Sequence, residues 1–301
     1  MNQQIAPESA SLPWPAARTR TAGSLSRHTG ALLLVAPLLL FMLVFYALPV
    51  LSMLARSFTE PTLTLANFVR LAHDDVFLRV FGNTLRTAFI VTLGTLLLGY
   101  PVALALSRMR PNAAKLTLVI VLLPFWTSVL VRSYAWMVLL GRHGLINEAL
   151  RSLDMIAAPL RLLNTSLAVH LAMIHILLPY MILPIASVLR QLDAALPRAA
   201  AGLGAPPWAV FRQVVLPLSM PGVLAGTLLV FVLSLGFYIT PALVGGPRDL
   251  MLAQLIAQQV DLLNWPYAAC LSATLLAATL LLLALCQALP GVRGAFRLGV
   301  R

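Results

Sequence analysis

Apolar residues gather in long, nearly unbroken runs, which polar and basic loops separate along the chain. Each run approaches the ~20 residues that an α-helix needs to cross a hydrocarbon core of ~30 Å. Apolar stretches of this length are typical of transmembrane helices rather than of buried strands. The pattern predicts an all-α, polytopic membrane protein with six transmembrane helices, near residues 31–52, 83–107, 116–140, 167–189, 222–244 and 267–289.

The two ends of the chain differ from this apolar part. Residues 1–30 are polar and are predicted to form a disordered cytoplasmic tail, and residues 290–301 a short basic one. The first apolar run contains Pro37 and Pro49, lacks an obvious cleavage site and is longer than a typical signal-peptide core. We therefore interpret it as a retained first span, and residues 31–289 as one membrane domain.

Composition supports a lipid environment, because 60% of the residues are hydrophobic and only 10% are charged, whereas soluble domains carry roughly a quarter charged residues. The formal net charge of +12 indicates an orientation, since cytoplasmic loops are enriched in Lys and Arg. With both termini cytoplasmic, only Glu8 and Asp193 oppose the cations of that side, which are Arg18, Arg20, Arg27, Arg108, Arg110, Lys115, Arg190, Arg198, Arg212, Arg293, Arg297 and Arg301. These cations are scattered over short loops and form no basic helix with interleaved aromatics, which argues against nucleic-acid binding.

The loop at 190–221, between the fourth and fifth spans, has the most specific pattern. After Asp193 an alanine-rich stretch runs to Gly204, and a glycine just past a helix supplies its left-handed C-terminal position. Pro206 and Pro207 suit the first turn of a second helix. The loop therefore predicts two short helices on the cytoplasmic surface.

The second of these helices carries an apolar stripe formed by Trp208, Phe211 and Val215, and Pro217 is predicted to end it. An exposed stripe beside basic residues fits an amphipathic hairpin lying among lipid headgroups. It fits equally well a knob that docks into a groove of another protein. The residues alone leave both interpretations open.

The same loop resembles the EAA loop of ABC importer permeases. The positions that match are Ala199, Ala200, Gly204, Ala205, Phe211, Leu216, Pro217, Pro221 and Gly222. In that family the loop forms coupling helices that sit in a cleft of the ATPase subunit and transmit its nucleotide-driven closure. The resemblance thus implies a coupling role for this segment, including Asp193 and Trp208. One position departs from the motif: Arg198 stands where the family has glutamate, and arginine has no hydrogen-bond acceptor.

Beyond this loop, the chain from about residue 31 to 289 resembles the first permease of spermidine/putrescine-type importers. This resemblance is carried by Asn83-Thr84-Leu85, Gly99-Tyr100-Pro101-Val102-Ala103, Pro124-Phe125-Trp126-Thr127-Ser128, Val131-Arg132-Ser133-Tyr134, Gly144-Leu145-Ile146-Asn147, Leu178-Pro179-Tyr180-Met181, Tyr238-Ile239-Thr240-Pro241 and Asn264-Trp265-Pro266-Tyr267. It implies a type I ABC importer permease fold in a bacterial inner membrane, with coupling helices between spans 4 and 5. The implied partners are a second homologous permease, an ATPase dimer that holds ATP and magnesium, and a periplasmic solute-binding protein. This chain is expected to have no ATPase site, cofactor or metal of its own.

Polar and aromatic side chains within the spans are candidates for the translocation pathway. Arg132 either snorkels to the outer interface or lines the path, and Trp126, Tyr180 and Tyr238 are aromatic candidates for contact with a cationic solute. Pro124, Pro179, Pro184 and Pro241 are expected to interrupt spans, as cavity-lining breaks or as simple kinks. His170 and His175 are interpreted as neutral, hydrogen-bonded packing residues.

The solute is less constrained by the sequence than the class of transporter. Polyamine is the first expectation, and the acids of the outer loops, Asp74, Asp75, Glu148, Asp154, Asp249 and Asp261, are available to attract a cation. Opine-like compounds, thiamine and ferric iron are alternatives that related permeases carry. An ATP-independent carrier or channel is a further alternative, but no acid lies in mid-span to couple transport to an ion gradient. A membrane-embedded enzyme is disfavoured because neither HExxH nor GxSxG occurs.

Overall fold

The structure is a computed structural model that describes residues 34–59 and 66–288, and its regular secondary structure in these ranges is helical. The helices are α1 (Leu34–Thr59), α2 (Ala66–Ala72), α3 (Asp75–Arg108), α4 (Pro111–Leu122), α5 (Val129–Leu139), α6 (Leu145–Ser152), α7 (Ser166–Gln191), α8 (Ala195–Gly202), α9 (Pro207–Leu235), α10 (Ile239–Val244), α11 (Leu252–Asp261) and α12 (Trp265–Ala288), with 3₁₀ turns at Leu123–Trp126 and Pro247–Asp249. The two predicted tails, 1–30 and 290–301, lie outside the described residues.

Within the described ranges five helices, α1, α3, α7, α9 and α12, are long and apolar enough to cross a membrane, and α4 with α5 makes a sixth span if the bent pair is counted as one. The prediction of an all-α chain with six candidate spans is therefore confirmed. The described residues divide between two compact units, with the boundary between residues 52 and 53. In the first unit the described residues, 34–52, are helical and belong to α1, with a π-helical turn at Leu43–Ala47.

The predicted third span, 116–140, consists of two helices bent by 97° relative to each other. The 3₁₀ turn Leu123–Trp126 ends with extended backbone at Thr127, and the Ser128 hydroxyl accepts a hydrogen bond from the N–H of Leu130 at 3.2 Å to cap α5. Pro124 within that turn has no backbone N–H and cannot continue the α-helical pattern. The expected interruption at Pro124 is confirmed, and its result is a near right-angle elbow.

Helices α3, α7 and α9 pack on one another and enclose the main core. The contact between α7 and α9 is close because Gly222 and Gly226, four residues apart, face α7. A Cβ atom at Gly222 would lie 2.8 Å from the carbonyl oxygen of Pro184, and one at Gly226 would lie 2.9 Å from the sulfur of Met181. Small residues at this spacing allow helix backbones to approach each other in membrane proteins.

Two of the spanning helices continue through prolines that were predicted from the sequence to interrupt or end them. Helix α7 runs through Pro179 and Pro184, which were expected to interrupt a span. Helix α9 runs through Pro217 and Pro221, so Pro217 does not end the second short helix of the loop. The chain adjusts before Pro217 by a π-helical stretch at Phe211–Val215, which widens the backbone where the ring would crowd the preceding turn.

The fifth predicted span, 222–244, is also divided differently. Helix α9 begins at Pro207 and ends at Leu235, and α10 begins only at Ile239. Pro241 therefore lies in the first turn of α10, where a missing N–H costs little, and the break in the span precedes it.

A second core cluster joins α2, the first turns of α3, α11 and α12. It is formed by Leu71, Phe77, Val80, Leu252, Leu255, Tyr267, Cys270 and Leu271. The cysteines Cys270 and Cys286 of α12 are both free. This cluster lies at the opposite end of α3 from the 190–221 segment.

Candidate functional site

The segment predicted to couple to an ATPase begins with a capped turn and the short helix α8. The Asp193 carboxylate accepts a hydrogen bond of 2.8 Å from the N–H of Ala195 and so fixes the start of the helix. At the other end, Gly204 N–H donates to the carbonyl of Ala201 and Ala205 N–H to that of Ala200. These two bonds form a Schellman motif, which satisfies the last carbonyls of the helix.

Gly204 has the backbone angle that this motif requires, with φ at +85°. A side chain in that conformation is strained, whereas glycine adopts it freely. The predicted helix terminus at Gly204 is therefore confirmed. Leu203 immediately before it is 90% exposed, so the turn presents an apolar tip.

Arg198 lies on the exposed side of α8, and its Nε donates to the carbonyl of Ala194 at 2.9 Å. The guanidinium thus stays against the first turn of its own helix. Ala199 is exposed and Ala200 is half-buried, so the two alanines of the motif face different surroundings. The charge at this position is positive where the related motif has a carboxylate.

The predicted stripe of α9 passes from the surface into the core. Trp208 is 67% exposed, Phe211 is half-buried and Val215 is only 3% exposed. The rings of Trp208 and Phe211 are stacked with their centroids 5.5 Å apart. Sequence reasoning expected both rings at the surface, but only Trp208 is largely exposed, because Phe211 packs against the core cluster.

Phe211 reaches α3 through Tyr100. The two rings meet edge to face with centroids 5.9 Å apart, and the Tyr100 hydroxyl is 2.9 Å from the Ser219 hydroxyl, two turns further along α9. Leu216 is half-buried and Pro217 exposed between these contacts. An apolar and hydrogen-bonded chain of contacts therefore joins the exposed Trp208 to the packed helices α3 and α9.

The four candidate pathway residues are only partly brought together. The ring of Tyr180 is 4.8 Å from the ring of Phe125, centroid to centroid. Trp126, next to Phe125, is 75% exposed. Tyr238 is 46% exposed at the start of α10, and among the described residues neither a ring contact nor a hydrogen bond joins it to the other three.

Arg132 has a buried atom without a partner: among the described residues its Nε is buried and forms no hydrogen bond. Nearby, the indole N–H of Trp136 donates to Nδ1 of His175 at 3.3 Å. This contact gives His175 the hydrogen bond that the sequence interpretation expected, although the His175 side chain is exposed, and its neutral state stays a prediction. For His170 the interpretation stays a prediction.

Several buried polar contacts were not predicted from the sequence. Ser133 of α5 and Thr240 of α10 are both buried, and their hydroxyls are 2.8 Å apart. Buried Asn147 donates to the carbonyls of Gly141 and Leu160 and accepts from the Leu160 N–H. The motifs quoted above contain Ser133, Thr240 and Asn147, but nothing in the linear pattern indicates which partner each one bonds.

Two of the acids expected to attract a cation have structural partners. The Asp74 carboxylate accepts from the Tyr267 hydroxyl at 2.5 Å and from the N–H of Val76 at 2.8 Å. Asp249 accepts from the Ser166 hydroxyl and, at 2.9 Å, from the N–H of Gly246. These contacts hold helix ends together, so the two carboxylates are less available to a solute than the sequence suggests.

Comparison with known proteins identifies the family. Residues 21–294 match the family described as the binding-protein-dependent transport system inner membrane component. The chain is 36% identical to the spermidine/putrescine transport system permease protein PotB of Haemophilus influenzae, across 79% of this chain and 86% of that protein. It is 37% identical to PotB of Escherichia coli strain K12, across 73% and 80% of the two chains. It is also 37% identical to the inner membrane ABC transporter permease protein YdcU of the same strain, across 79% and 82%.

The fold has solved counterparts. A crystal structure of a bacterial alginate ABC transporter in complex with an alginate pentasaccharide-bound periplasmic protein contains a chain that superposes with a TM-score of 0.73. The superposition covers 87% of this chain and 94% of that one at 17% identity, which shows a shared fold. The chain therefore belongs to the binding-protein-dependent transport system inner membrane components, and it is a multi-pass inner-membrane permease subunit of an ABC importer with the type I permease fold.

Proposed function

We propose that this chain is one of two membrane subunits of an ATP-driven polyamine importer, and that it forms half of the translocation pathway. Support for the solute comes from the relatives named above, two of which are spermidine/putrescine permeases of at least 36% identity. The distribution of Lys and Arg supports an orientation with both termini in the cytoplasm. On this orientation the α8–α9 segment is cytoplasmic.

The proposed partners are a second homologous permease, a dimer of ATPase subunits and a periplasmic solute-binding protein. Family membership already implies an ATPase and a binding protein, and the second permease completes the pathway. ATP and magnesium are assigned to the ATPase, and this chain contributes no hydrolytic residues. Alternating access follows: ATP binding closes the ATPase dimer, and the spans switch between inward-facing and outward-facing states.

The contact of Phe211 with Tyr100 is the observation that carries the coupling proposal. Leu203 and Trp208 are exposed on the segment and are available to an ATPase cleft. Because α9 is continuous from Pro207 to Leu235, a displacement of the docked segment moves a spanning helix directly. We therefore expect α9 to transmit movement of the docked segment to the membrane core.

Arg198 sets a requirement on the ATPase. Arginine is always charged and offers donors only, so the facing surface must supply a carboxylate or carbonyl acceptor. In relatives that have the motif glutamate, the ATPase must offer a donor at this contact. We propose that the ATPase partner of this chain has an acceptor at the same position. At this one contact the permease therefore donates the hydrogen bond and the ATPase accepts it, the reverse of the arrangement with a motif glutamate.

Substitution of Gly204 tests the coupling role. Valine at Gly204 cannot adopt φ near +85° without strain, so we expect Gly204→Val to reshape the turn that carries Leu203. The measurement is uptake of labelled spermidine and ATP hydrolysis in proteoliposomes that contain the whole importer, with and without loaded binding protein. We expect the variant to lose binding-protein-stimulated hydrolysis and uptake together.

Gly202→Val is the matched control, since Gly202 ends α8 without a positive φ and a Cβ atom there would meet nothing within 4 Å. It should retain both activities, and unlabelled opine, thiamine or ferric iron should not compete with spermidine. Uptake that persists without the ATPase, and that Gly204→Val leaves unchanged, would identify an ATP-independent carrier or channel instead. Competition by one of the other solutes would retain the importer and replace the polyamine assignment.

A further inference from the structure

Two adjacent clefts lie where α3 and α7 end. The larger has a volume of about 430 Å³ and is lined by residues of α3, α7, α8, α9 and the loop between α7 and α8. The smaller, of about 270 Å³, lies between the ends of α3 and α7 and the start of α4. Ser107 and Arg190 line both clefts, so the two form one extended depression.

The depression is basic. Arg108, Arg190 and Arg198 line the larger cleft, and Lys115 joins Arg190 in the smaller one. Within the described part of the chain, neither cleft has an aspartate or glutamate among its lining residues. Asp193, the acid of the α7–α8 loop, accepts from the backbone of Ala195 instead of pairing with these cations.

Helix ends alone do not account for this cluster. A cation in the last turn of a helix interacts favourably with the helix dipole, which explains Arg108 of α3 and Arg190 of α7. Lys115 belongs to the second turn of α4 and Arg198 to the middle of α8, and neither gains from that effect. Four helices thus place exposed cations around one depression, where a bound anion would lower their mutual repulsion.

The position relative to the membrane indicates which anion. Arg108 and Arg190 lie in the last turns of two candidate spanning helices, and on the proposed orientation we place the depression near the cytoplasmic lipid headgroups. Apart from Ser107, the other side chains that line the smaller cleft are apolar, among them Leu106, Met109 and Leu118. On the adjacent α4, Leu116, Val119 and Ile120 are more than half exposed, a surface suited to acyl chains.

We propose that this depression binds the phosphate-bearing headgroup of an anionic phospholipid, whose acyl chains lie along α4. Arginine forks match phosphate oxygens in pairs, and basic pockets between transmembrane helices are suited to such headgroups. The two joined clefts give room for a diphosphate headgroup such as that of cardiolipin. Arg198 of α8 also lines this depression, and its guanidinium has five N–H donors, so a contact with the lipid leaves donors for the ATPase acceptor proposed above.

The test is lipid retention by the full-length chain in its assembled complex. The complex is purified in detergent, incubated with cardiolipin or phosphatidylglycerol against a phosphatidylcholine background, and bound lipid is counted by native mass spectrometry. We expect retention of anionic lipid by wild type and a loss of about tenfold or more in Arg108→Gln/Arg190→Gln, since each cation near a headgroup contributes about 1 kcal/mol. Arg190→Lys, which keeps the charge, should retain most of the binding and also shows that the site folds.

Arg212→Gln is the matched control: Arg212 is exposed on the neighbouring turn of α9 and lines neither cleft. Its retention of anionic lipid should equal that of wild type. The proposal is overturned if the double variant retains as much anionic lipid as this control. It is also overturned if inorganic phosphate displaces the lipid at equal concentration, which would make the depression a site for free anions. Loss of the ATPase subunit from the double variant with unchanged lipid retention would identify a protein contact instead.

Discussion

Asp74 shows how one side chain fixes the meeting point of several elements. It caps α3 by accepting from the N–H groups of Val76 and Phe77, and its second oxygen accepts from the Tyr267 hydroxyl of α12. The guanidinium of Arg70, on α2, lies 5.3 Å from the centre of the Tyr267 ring. Three helices, of which α12 is distant in sequence from the other two, are thereby held at one carboxylate.

This carboxylate gives a pH-dependent contribution to stability. The hydrogen bond from Tyr267, with smaller effects of Val76, Phe77 and Arg70, holds the pKa of Asp74 below its usual value. Because the pKa of Asp74 is lower in the folded protein than in the unfolded chain, where it is about 4, the ionised carboxylate stabilises the folded state above that pH. This stabilisation is lost as the pH falls through the folded-state pKa. We expect Asp74→Asn to cost about 1–2 kcal/mol at pH 7 and progressively less below about pH 4. Denaturant unfolding of the detergent-solubilised protein across this range measures the difference.

Asp75→Asn is the control for this prediction. Asp75 is the next residue, is exposed and lies in the first turn of the same helix. Its replacement should change the free energy of unfolding by less than about 1 kcal/mol. Equal losses in the two variants would mean that the contact with Tyr267 contributes nothing.

Among the elements, the contact between α7 and α9 depends most on the absence of side chains. The backbone of α9 at Gly222 approaches that of α7 at Pro184 and Ile185, where a Cβ would lie 2.8 Å and 2.9 Å from backbone atoms. Backbone atoms within a packed helix cannot move aside as the end of a flexible side chain can. The spacing of the two helices is therefore set by glycine.

Replacement of Gly222 should consequently destabilise the packed helices. We expect Gly222→Ala to lower the free energy of unfolding by about 1–3 kcal/mol, the usual cost of overpacking. Gly82→Ala is the comparison, because Gly82 lies within α3 and a Cβ there meets nothing within 4 Å. Alanine at that position should be neutral or slightly stabilising, since it lowers the entropy of the unfolded chain. Thermal unfolding of the two variants in the same detergent compares them, and an equal shift would contradict the close-contact explanation.

For the whole molecule, the important connection runs from the exposed α8–α9 segment to the core. Trp208 stacks on Phe211, Phe211 meets Tyr100 of α3, and Tyr100 bonds Ser219. This path links the proposed ATPase contact to two spanning helices without passing through a flexible loop. Phe211 is its central member.

Truncation of Phe211 should weaken transport more than folding. We expect Phe211→Ala to reduce binding-protein-stimulated uptake about 2- to 30-fold, which corresponds to coupling energies of this kind, while the complex remains assembled. Uptake per ATP hydrolysed in proteoliposomes measures the coupling. Leu218→Ala, at an exposed position of the same helix, should leave that ratio unchanged. A Phe211→Ala variant with normal uptake per ATP would show that force reaches α3 by another route.

Local sequence features determined the number and the approximate positions of the candidate spans, and the end of α8. Each long apolar run favours a lipid environment by its own composition, independently of its contacts with other helices. The turn at Gly204 depends on a positive φ, which glycine itself permits. The order of the spans follows from the same short-range pattern, but that pattern did not distinguish the exposed Trp208 from the half-buried Phe211. The resemblance to ABC importer permeases rested on these local motifs, and the family match confirms it.

Only the tertiary structure decided how prolines act and which polar groups meet. Pro217 lies within a continuous helix because packing of α9 and a π-helical turn outweigh the local tendency to break, whereas Pro124 lies at a 97° elbow. The hydrogen bond between Tyr267 and Asp74 joins two residues that are 193 positions apart in the sequence, and the one between Ser133 and Thr240 joins two that are 107 positions apart. Likewise, Arg108, Arg190 and Arg198 become one basic depression only after three helices have packed. Contacts of this kind depend on the positions of whole helices, and a linear pattern of residue types does not contain those positions.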